Sequence, residues 1–192
     1  MRQAAQQIHN HLKTATKLAL VSHPNPDGDT LGAAMAFAEY LQTMGKEVKI
    51  FCLTPASEKF GFLKNIHLVN CNPDVFLGLD TITVLDCGDL RYAGIAETIK
   101  NHTATIINID HHATNEKYGH FNMVMIGAAS TTEVVYNFFK TNNIHITPSM
   151  ATALLTGLIT DTDNFSNSAT SHTSLVASSE LLRLGANWTA IH

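Results

Sequence analysis

Short apolar runs alternate with longer stretches of helical periodicity along most of the chain. Nearly continuous apolar runs are typical of strands that are covered on both faces of a sheet. Strands that alternate with helices require right-handed crossovers and parallel pairing. The pattern therefore predicts a doubly wound α/β fold, with a mainly parallel sheet of about five strands and helices on both faces. The predicted strands are residues 17–22, 47–53, 81–85, 104–109 and 120–126.

Start and stop signals mark the predicted helices between these strands. A polar leader helix covers residues 2–14, a helix near 92–100 follows the third strand, and a last helix covers 172–184. The boundaries of the other predicted helices are indicated by three kinds of signal. These are a capping box, an N-cap before a first-turn proline, and a glycine after the last residue of the helical periodicity. These signals are Ser130 with Glu133, Thr147 with Pro148, and Gly45 and Gly185.

Size, charge and cysteine content narrow the class of protein. A chain of 192 residues fits one domain, and its net charge of -4 argues against a large non-specific nucleic-acid surface. The N-terminal segment is too polar for a signal peptide, and no apolar run approaches the ~20 residues of a membrane span. Three cysteines form no CxxC pair, which is typical of free thiols in a reducing compartment. We therefore expect a cytoplasmic protein without a membrane partner.

Clusters of aspartate and histidine stand where predicted strands or helices end. In open parallel sheets, active sites lie beyond the carboxyl ends of the strands, so three of these clusters should meet at one edge. Carboxylate oxygens and imidazole nitrogens are ligands for divalent metals, and four carboxylates match the charge of two such ions. The pattern predicts a two-metal phosphoesterase that uses Mn²⁺ or Mg²⁺. The clusters are His23-x-x-x-Asp27-x-Asp29, Asp86, Asp110-His111-His112 and Asp161.

Each cluster by itself also has an ordinary structural explanation. The segment PNPDGD reads as a turn in which Asp29 caps the next helix. Asp86 reads as a strand-terminal residue, the histidine pair as a loop, and Asp161 as a turn residue. The joint occurrence of all four, with three at one sheet edge and Asp161 able to close the set, favours the metal site.

Four segments, in this order, resemble the motifs of the DHH phosphoesterase superfamily: HPNPDGDTLGA, VLDCGD, NIDHHATN and GLITDTDNF. The resemblance is greatest to the branch of bifunctional oligoribonucleases and pAp-phosphatases. It implies that Asp86 bridges two metal ions and that His112 faces the scissile phosphate. It also implies that Asp110 orients the histidines, while Arg91 either contacts a phosphate or forms a surface ion pair. The implied ligands are His23, Asp27 and Asp86 for one metal, and Asp29, Asp86, His111 and Asp161 for the other.

The resemblance also implies a function and a domain organisation. The implied reaction is hydrolysis of short oligonucleotides or small nucleotides (nanoRNA, pAp, linear or cyclic dinucleotides) by a hydroxide held between two Mn²⁺ ions. An inorganic pyrophosphatase or polyphosphatase, and a non-catalytic metal- or nucleotide-binding scaffold, are the alternatives. We expect residues 1–185 to form the DHH catalytic domain. Residues 186–192 would begin a linker to a C-terminal substrate-binding domain outside this chain, and the family suggests a homodimer.

Overall fold

The computed structural model of the protein describes residues 1–192 and contains one sheet of six parallel strands. All five predicted strands are present. The prediction of about five was one short, because β3 has only two residues and pairs with Ile50 and Phe51 of its neighbour. So short a strand leaves no apolar run in the sequence. The strands are β1 Lys17–Ser22, β2 Glu47–Cys52, β3 Val69–Asn70, β4 Thr81–Leu85, β5 Thr105–Asp110 and β6 Phe121–Val124.

Seven helices connect or flank the strands: α1 Arg2–Thr14, α2 Gly28–Thr43, α3 Ala96–Lys100, α4 Thr131–Thr141, α5 Pro148–Asp161, α6 His172–Arg183 and α7 Trp188–Ile191. The predicted caps of α4 and α5 are confirmed, since Ser130 and Thr147 accept backbone N–H groups of those helices. Two expectations were wrong in detail. Helix α3 covers only the end of the predicted 92–100 segment, and the N-cap of α2 is Asp27 rather than Asp29.

The two faces of the sheet carry separate hydrophobic clusters, as alternating side-chain directions along each strand require. The larger cluster has 40 buried residues and joins the sheet to α1, α2, α4, α5 and α6. The smaller has 15 and is covered by α3 and a 3₁₀ turn, Pro73–Phe76. Every residue of helix α2 from Gly28 to Leu41 is buried, so the helix lies at the centre of the larger layer.

Close contact between α2 and α5 depends on Gly32. A Cβ atom at this position would lie well inside van der Waals distance of the Ala153 carbonyl oxygen, a backbone atom that cannot rotate away. We expect Gly32→Ala to lower the free energy of unfolding by about 1–3 kcal/mol, as overpacking in cores does. Urea denaturation measures this loss. Gly127→Ala is the matched control, because a Cβ there meets nothing within 4 Å; equal stability of the two variants would contradict the expected clash.

The strand order β3-β2-β1-β4-β5-β6 places a topological switch point between β1 and β4. The chain leaves β1 toward β2 on one side and returns to its other side with β4. In such sheets a crevice opens at the carboxyl ends of the two central strands. His23 follows β1 and Asp86 follows β4, so both residues lie at this crevice.

Candidate metal centre

The loop after β1 brings the first cluster to the start of α2. The Asp27 carboxylate accepts hydrogen bonds from the backbone N–H groups of Asp29 (3.0 Å) and Thr30 (3.1 Å) and so caps the helix. Its side chain remains 52% exposed, whereas Asp29, in the first helical turn, is fully buried. The segment between β1 and α2 thus places the capping carboxylate of Asp27 at the surface and the carboxylate of Asp29 in the interior.

Asp86 lies at the centre of the site. Its φ of +58° is in the left-handed region that non-glycine residues rarely adopt, and such conformations cluster at functional sites. The two carboxylate oxygens face different histidines: Oδ2 lies 3.4 Å from Nε2 of His23, and Oδ1 lies 3.7 Å from Nε2 of His111. The Thr131 hydroxyl donates a hydrogen bond to Oδ1 (2.9 Å). The buried Asp86 carboxylate therefore faces His23 with one oxygen and His111 with the other.

The three histidines share one arrangement, in which Nδ1 is held by an oxygen. Nδ1 of His23 lies 2.9 Å from the Pro24 carbonyl, and Nδ1 of His111 lies 3.3 Å from the Ala128 carbonyl. Because a carbonyl oxygen can only accept, Nδ1 of His23 and of His111 carries the proton, and Nε2 of the neutral ring keeps a free lone pair. Ligating histidines in metal sites are oriented in this way.

The predicted ligands come together in the structure. Ligand atoms of His23, Asp27 and Asp86 lie within 4.8 Å of one another, as do those of Asp29, His111 and Asp161. A third such group contains Asp86, His111 and His112. The first group is the ligand set implied for one metal. The second group is the set implied for the other metal without Asp86, which was implied as a ligand of both. Asp86 is within 3.7 Å of His111 in the second group as well.

The electrostatics of the site fit divalent cations. Burial, together with the charges of Asp86 and Asp161, raises the pKa of Asp29 well above its usual value, although N–H groups of Thr131 and Thr132 donate to it. Burial and the neighbouring carboxylates Asp86 and Asp27 raise the pKa of Asp161 to about 7. Four crowded carboxylates thus require compensating positive charge. Oxygen and nitrogen donors without a thiolate fit Mn²⁺ or Mg²⁺.

His112 is held by a chain of buried polar groups. Its Nδ1 lies 2.8 Å from Oδ1 of the fully buried Asp110, and this hydrogen bond raises the pKa of His112 to about 9. The other Asp110 oxygen accepts from the Asn115 amide (2.6 Å), and Asn115 exchanges amide hydrogen bonds with Asn108. Sequence reasoning missed Asn115, although it belongs to the segment NIDHHATN, and likewise missed Thr131, which begins α4 inside the capping signal.

A cleft of about 550 Å³ opens above these residues, and its lining is mainly polar. Arg91 lies at its rim in an ion pair with Asp89 (2.6 Å) and within 3.4 Å of Glu116. Tyr92 lines the same cleft and is 63% exposed as a residue, and its ring centroid lies 5.7 Å from that of His23. The cleft therefore offers an aromatic surface beside the carboxylates.

Residues 17–158 match the model of the DHH family, N-terminal domain. The chain belongs to the DHH family. The bifunctional oligoribonuclease and PAP phosphatase NrnA of Thermus thermophilus is 29% identical to this DHH domain over 167 residues, which are 86% of this chain and 49% of that protein. A probable manganese-dependent inorganic pyrophosphatase of Streptococcus thermophilus is 27% identical over 175 residues, 88% of this chain and 56% of that protein. The chain spans about half the length of these curated relatives.

A crystal structure shares the fold of this DHH domain. An exopolyphosphatase-related protein from Bacteroides fragilis superposes with a TM-score of 0.91 at 21% identity, over 100% of this chain and 59% of that one. The predicted family and fold class are therefore confirmed. The curated relatives carry names from two substrate classes, so membership of the family does not determine the substrate. None of the seven helices combines the length and apolarity needed to cross a membrane.

Proposed function

We propose that this DHH domain hydrolyses phosphoester bonds in short oligonucleotides or small nucleotides, using two divalent cations, preferably Mn²⁺. The observation that carries the proposal is the position of Asp86. Its carboxylate faces His23 on one side and His111 on the other, and His111 in turn lies in the group with Asp29 and Asp161. A carboxylate shared in this way is what a pair of closely spaced cations needs as a bridge.

The proposed ligand sets are those that the family resemblance implies, and the grouping of donor atoms in the structure supports them. His23, Asp27 and Asp86 would hold one cation, and Asp29, Asp86, His111 and Asp161 would hold the other. When bound, the two cations activate water as the nucleophile and neutralise charge that develops on the phosphoryl oxygens. Asp86 would contribute to both sites, since its two carboxylate oxygens face His23 and His111. Thr131 holds that carboxylate through its hydroxyl, and Asp29 is fixed by the first N–H groups of α4.

His112 would act on the substrate rather than on a metal. Its Nδ1 is engaged by Asp110 and its Nε2 makes no hydrogen bond within the protein, so Nε2 is available to a phosphate oxygen or to the leaving oxygen. General acid catalysis of this kind contributes typically about 10²–10⁴-fold to a rate. Asp110 keeps the ring in this orientation and is itself held by Asn115. Arg91, at the rim, would contact a phosphate by exchanging part of its pairing with Asp89.

The exposed Tyr92 ring favours a nucleotide over inorganic pyrophosphate. Stacking of a nucleobase on an exposed aromatic ring is favourable and independent of base identity, so Tyr92 offers a binding surface beside the metal centre. Pyrophosphate has no group that could use this surface. The three free cysteines support a cytoplasmic setting for such an enzyme.

A substrate panel with Mn²⁺ tests the proposal. We expect release of nucleoside monophosphate or phosphate from pApA or pAp at least about tenfold faster than hydrolysis of pyrophosphate, and complete loss of turnover with EDTA. Asp86→Asn, assayed in parallel, controls for contaminating hydrolases. A preference for pyrophosphate would instead favour the pyrophosphatase. Stoichiometric Mn²⁺ binding with no turnover of any phosphoester would favour the non-catalytic scaffold.

A further inference from the structure

A second cavity, of about 530 Å³, adjoins the metal cleft. Asp89, Arg91 and Glu116 line both cavities, so this ion-paired ridge is the boundary that the two cavities share. We refer to the second cavity as the α3 groove, because Ala96, Ile99 and Lys100 of α3 form one wall. A ligand bound in the metal cleft can extend into the α3 groove over the Arg91 guanidinium.

The two cavities differ in the chemistry of their walls. Only two of the twelve residues around the metal cleft are hydrophobic, which suits a phosphate group once cations neutralise the carboxylates. The α3 groove has an apolar floor, and its Tyr118 ring is fixed by a hydrogen bond from the hydroxyl to the Cys87 carbonyl (2.6 Å). Apolar and aromatic walls with a few polar groups are typical of sites for organic ring systems. The apolar lining consists of Leu90, Ala96, Ile99, Ile106 and Tyr118.

Two side chains at the edge of the α3 groove can donate hydrogen bonds to a ligand. His120 accepts the Ile106 backbone N–H at Nδ1 (2.9 Å), so in the neutral ring the proton is on Nε2. The Lys100 side chain is 63% exposed and is held only by Glu97 at 3.2 Å. Both groups suit the nitrogen and oxygen acceptors of a nucleobase or the oxygens of a phosphate. His102 is different, because both of its ring nitrogens are already bonded to backbone groups.

We propose that the α3 groove binds the nucleoside next to the scissile phosphate of a substrate with at least two nucleotides. This inference rests on the proposed function, and it selects oligonucleotides among the phosphoesters that the metal cleft could accept. The apolar floor contacts the base, His120 and Lys100 donate to its acceptor atoms or to the following phosphate, and Arg91 lies where the backbone crosses between the two cavities. A cavity of this size falls within the range of small-molecule sites and has room for a nucleoside.

Filling the groove tests the proposal through binding alone. Ala96→Trp places an indole in the groove, and Thr98→Trp places the same side chain at an exposed position of α3 that does not line it. Calorimetric titrations with two hydrolysis-resistant probes, a phosphorothioate-linked pApA and imidodiphosphate, are made with Mn²⁺ present. We expect Ala96→Trp to weaken dinucleotide binding about tenfold, the size of one lost base contact. Imidodiphosphate binding should stay within about twofold, and Thr98→Trp should resemble the unsubstituted protein for both probes.

The outcomes separate this inference from the function on which it rests. Unchanged dinucleotide affinity in Ala96→Trp, equal losses for both probes, or no dinucleotide binding by the unsubstituted protein overturns the inference. If the binding results are as expected but neither pApA nor pyrophosphate is hydrolysed, the assignment of the α3 groove as a nucleoside site stands. Only the proposed catalysis is then contradicted. If thermal denaturation shows that Ala96→Trp does not fold, the exposed substitution Lys100→Glu replaces it. It is expected to weaken dinucleotide binding at least about threefold at low salt, and an unchanged affinity would count against the groove.

Discussion

Asp86→Asn should remove both hydrolysis and metal-dependent stabilisation. Asn has nearly the same volume and can still accept the Thr131 hydroxyl, so the fold should persist. It lacks the negative charge and the second carboxylate oxygen that face His23 and His111. Loss of several kcal/mol of charge stabilisation corresponds to a fall in kcat/KM of at least about 10³-fold. A discontinuous phosphate-release assay with Mn²⁺ measures this loss.

Thermal denaturation gives a second measurement on the same variant. A ligand at a hundredfold excess over its Kd stabilises a protein by about 2.7 kcal/mol. In a domain of this length that corresponds to a rise in Tm of roughly 5–11 °C. We expect this rise with Mn²⁺ in the unsubstituted protein and in Asp74→Asn, a control at an exposed turn. Asp86→Asn should show almost none of it, and a full Tm shift in that variant would refute the shared-ligand role.

The two adjacent histidines should separate metal binding from catalysis. His111→Ala is expected to lose the Mn²⁺-dependent rise in Tm together with activity. His112→Ala is expected to keep the rise in Tm and to lose about 10²–10⁴-fold in kcat. The physical reason lies in the free ring nitrogens. Nε2 of His111 lies 3.3 Å from Asp161 and 3.7 Å from Asp86, whereas the atom of His112 nearest Asp86 is Nδ1, which Asp110 already holds.

Each histidine serves as the matched control for the other, since the two substitutions remove the same ring from neighbouring positions. Single-turnover kinetics at saturating Mn²⁺ isolates the chemical step in His112→Ala. Loss of the Tm rise in His112→Ala to the same extent as in His111→Ala would show that His112 binds metal. Unchanged kcat in His112→Ala would exclude its action on the phosphate.

The sequence-based prediction was most accurate where the information is local. Apolar runs predicted five of the six strands, and the caps at Ser130 and Thr147 predicted the starts of α4 and α5. It failed at β3, which is too short to carry a pattern, and at the cap of α2. There Asp27 and Asp29 are both capping residues by type. Only backbone geometry determines which carboxylate accepts the N–H groups of the first turn.

The kinds of residue at the site could also be read from the chain. Side-chain chemistry belongs to each residue, and the ends of parallel strands share one edge of the sheet, so the donor types and their approximate meeting place follow from sequence. The residues that orient these donor groups cannot be predicted from the sequence in the same way. Thr131 reaches Asp86 from a helix 45 positions away, and Asn115 supports Asp110 through a buried amide network. Such contacts have no local pattern.

By itself, the sequence determined the α/β class, the strands long enough to show an apolar run, and the Asp and His residues available to divalent cations. Only the tertiary structure decided that β1 and β4 are neighbours, and this pairing brings His23 and Asp86 to one crevice. It also decided which nitrogen of each site histidine is free, and that an apolar groove shares Arg91 with the metal cleft. The reason is physical. Element type depends on neighbours in the chain, whereas strand order, ring orientation and cavities depend on contacts between residues that are distant in sequence.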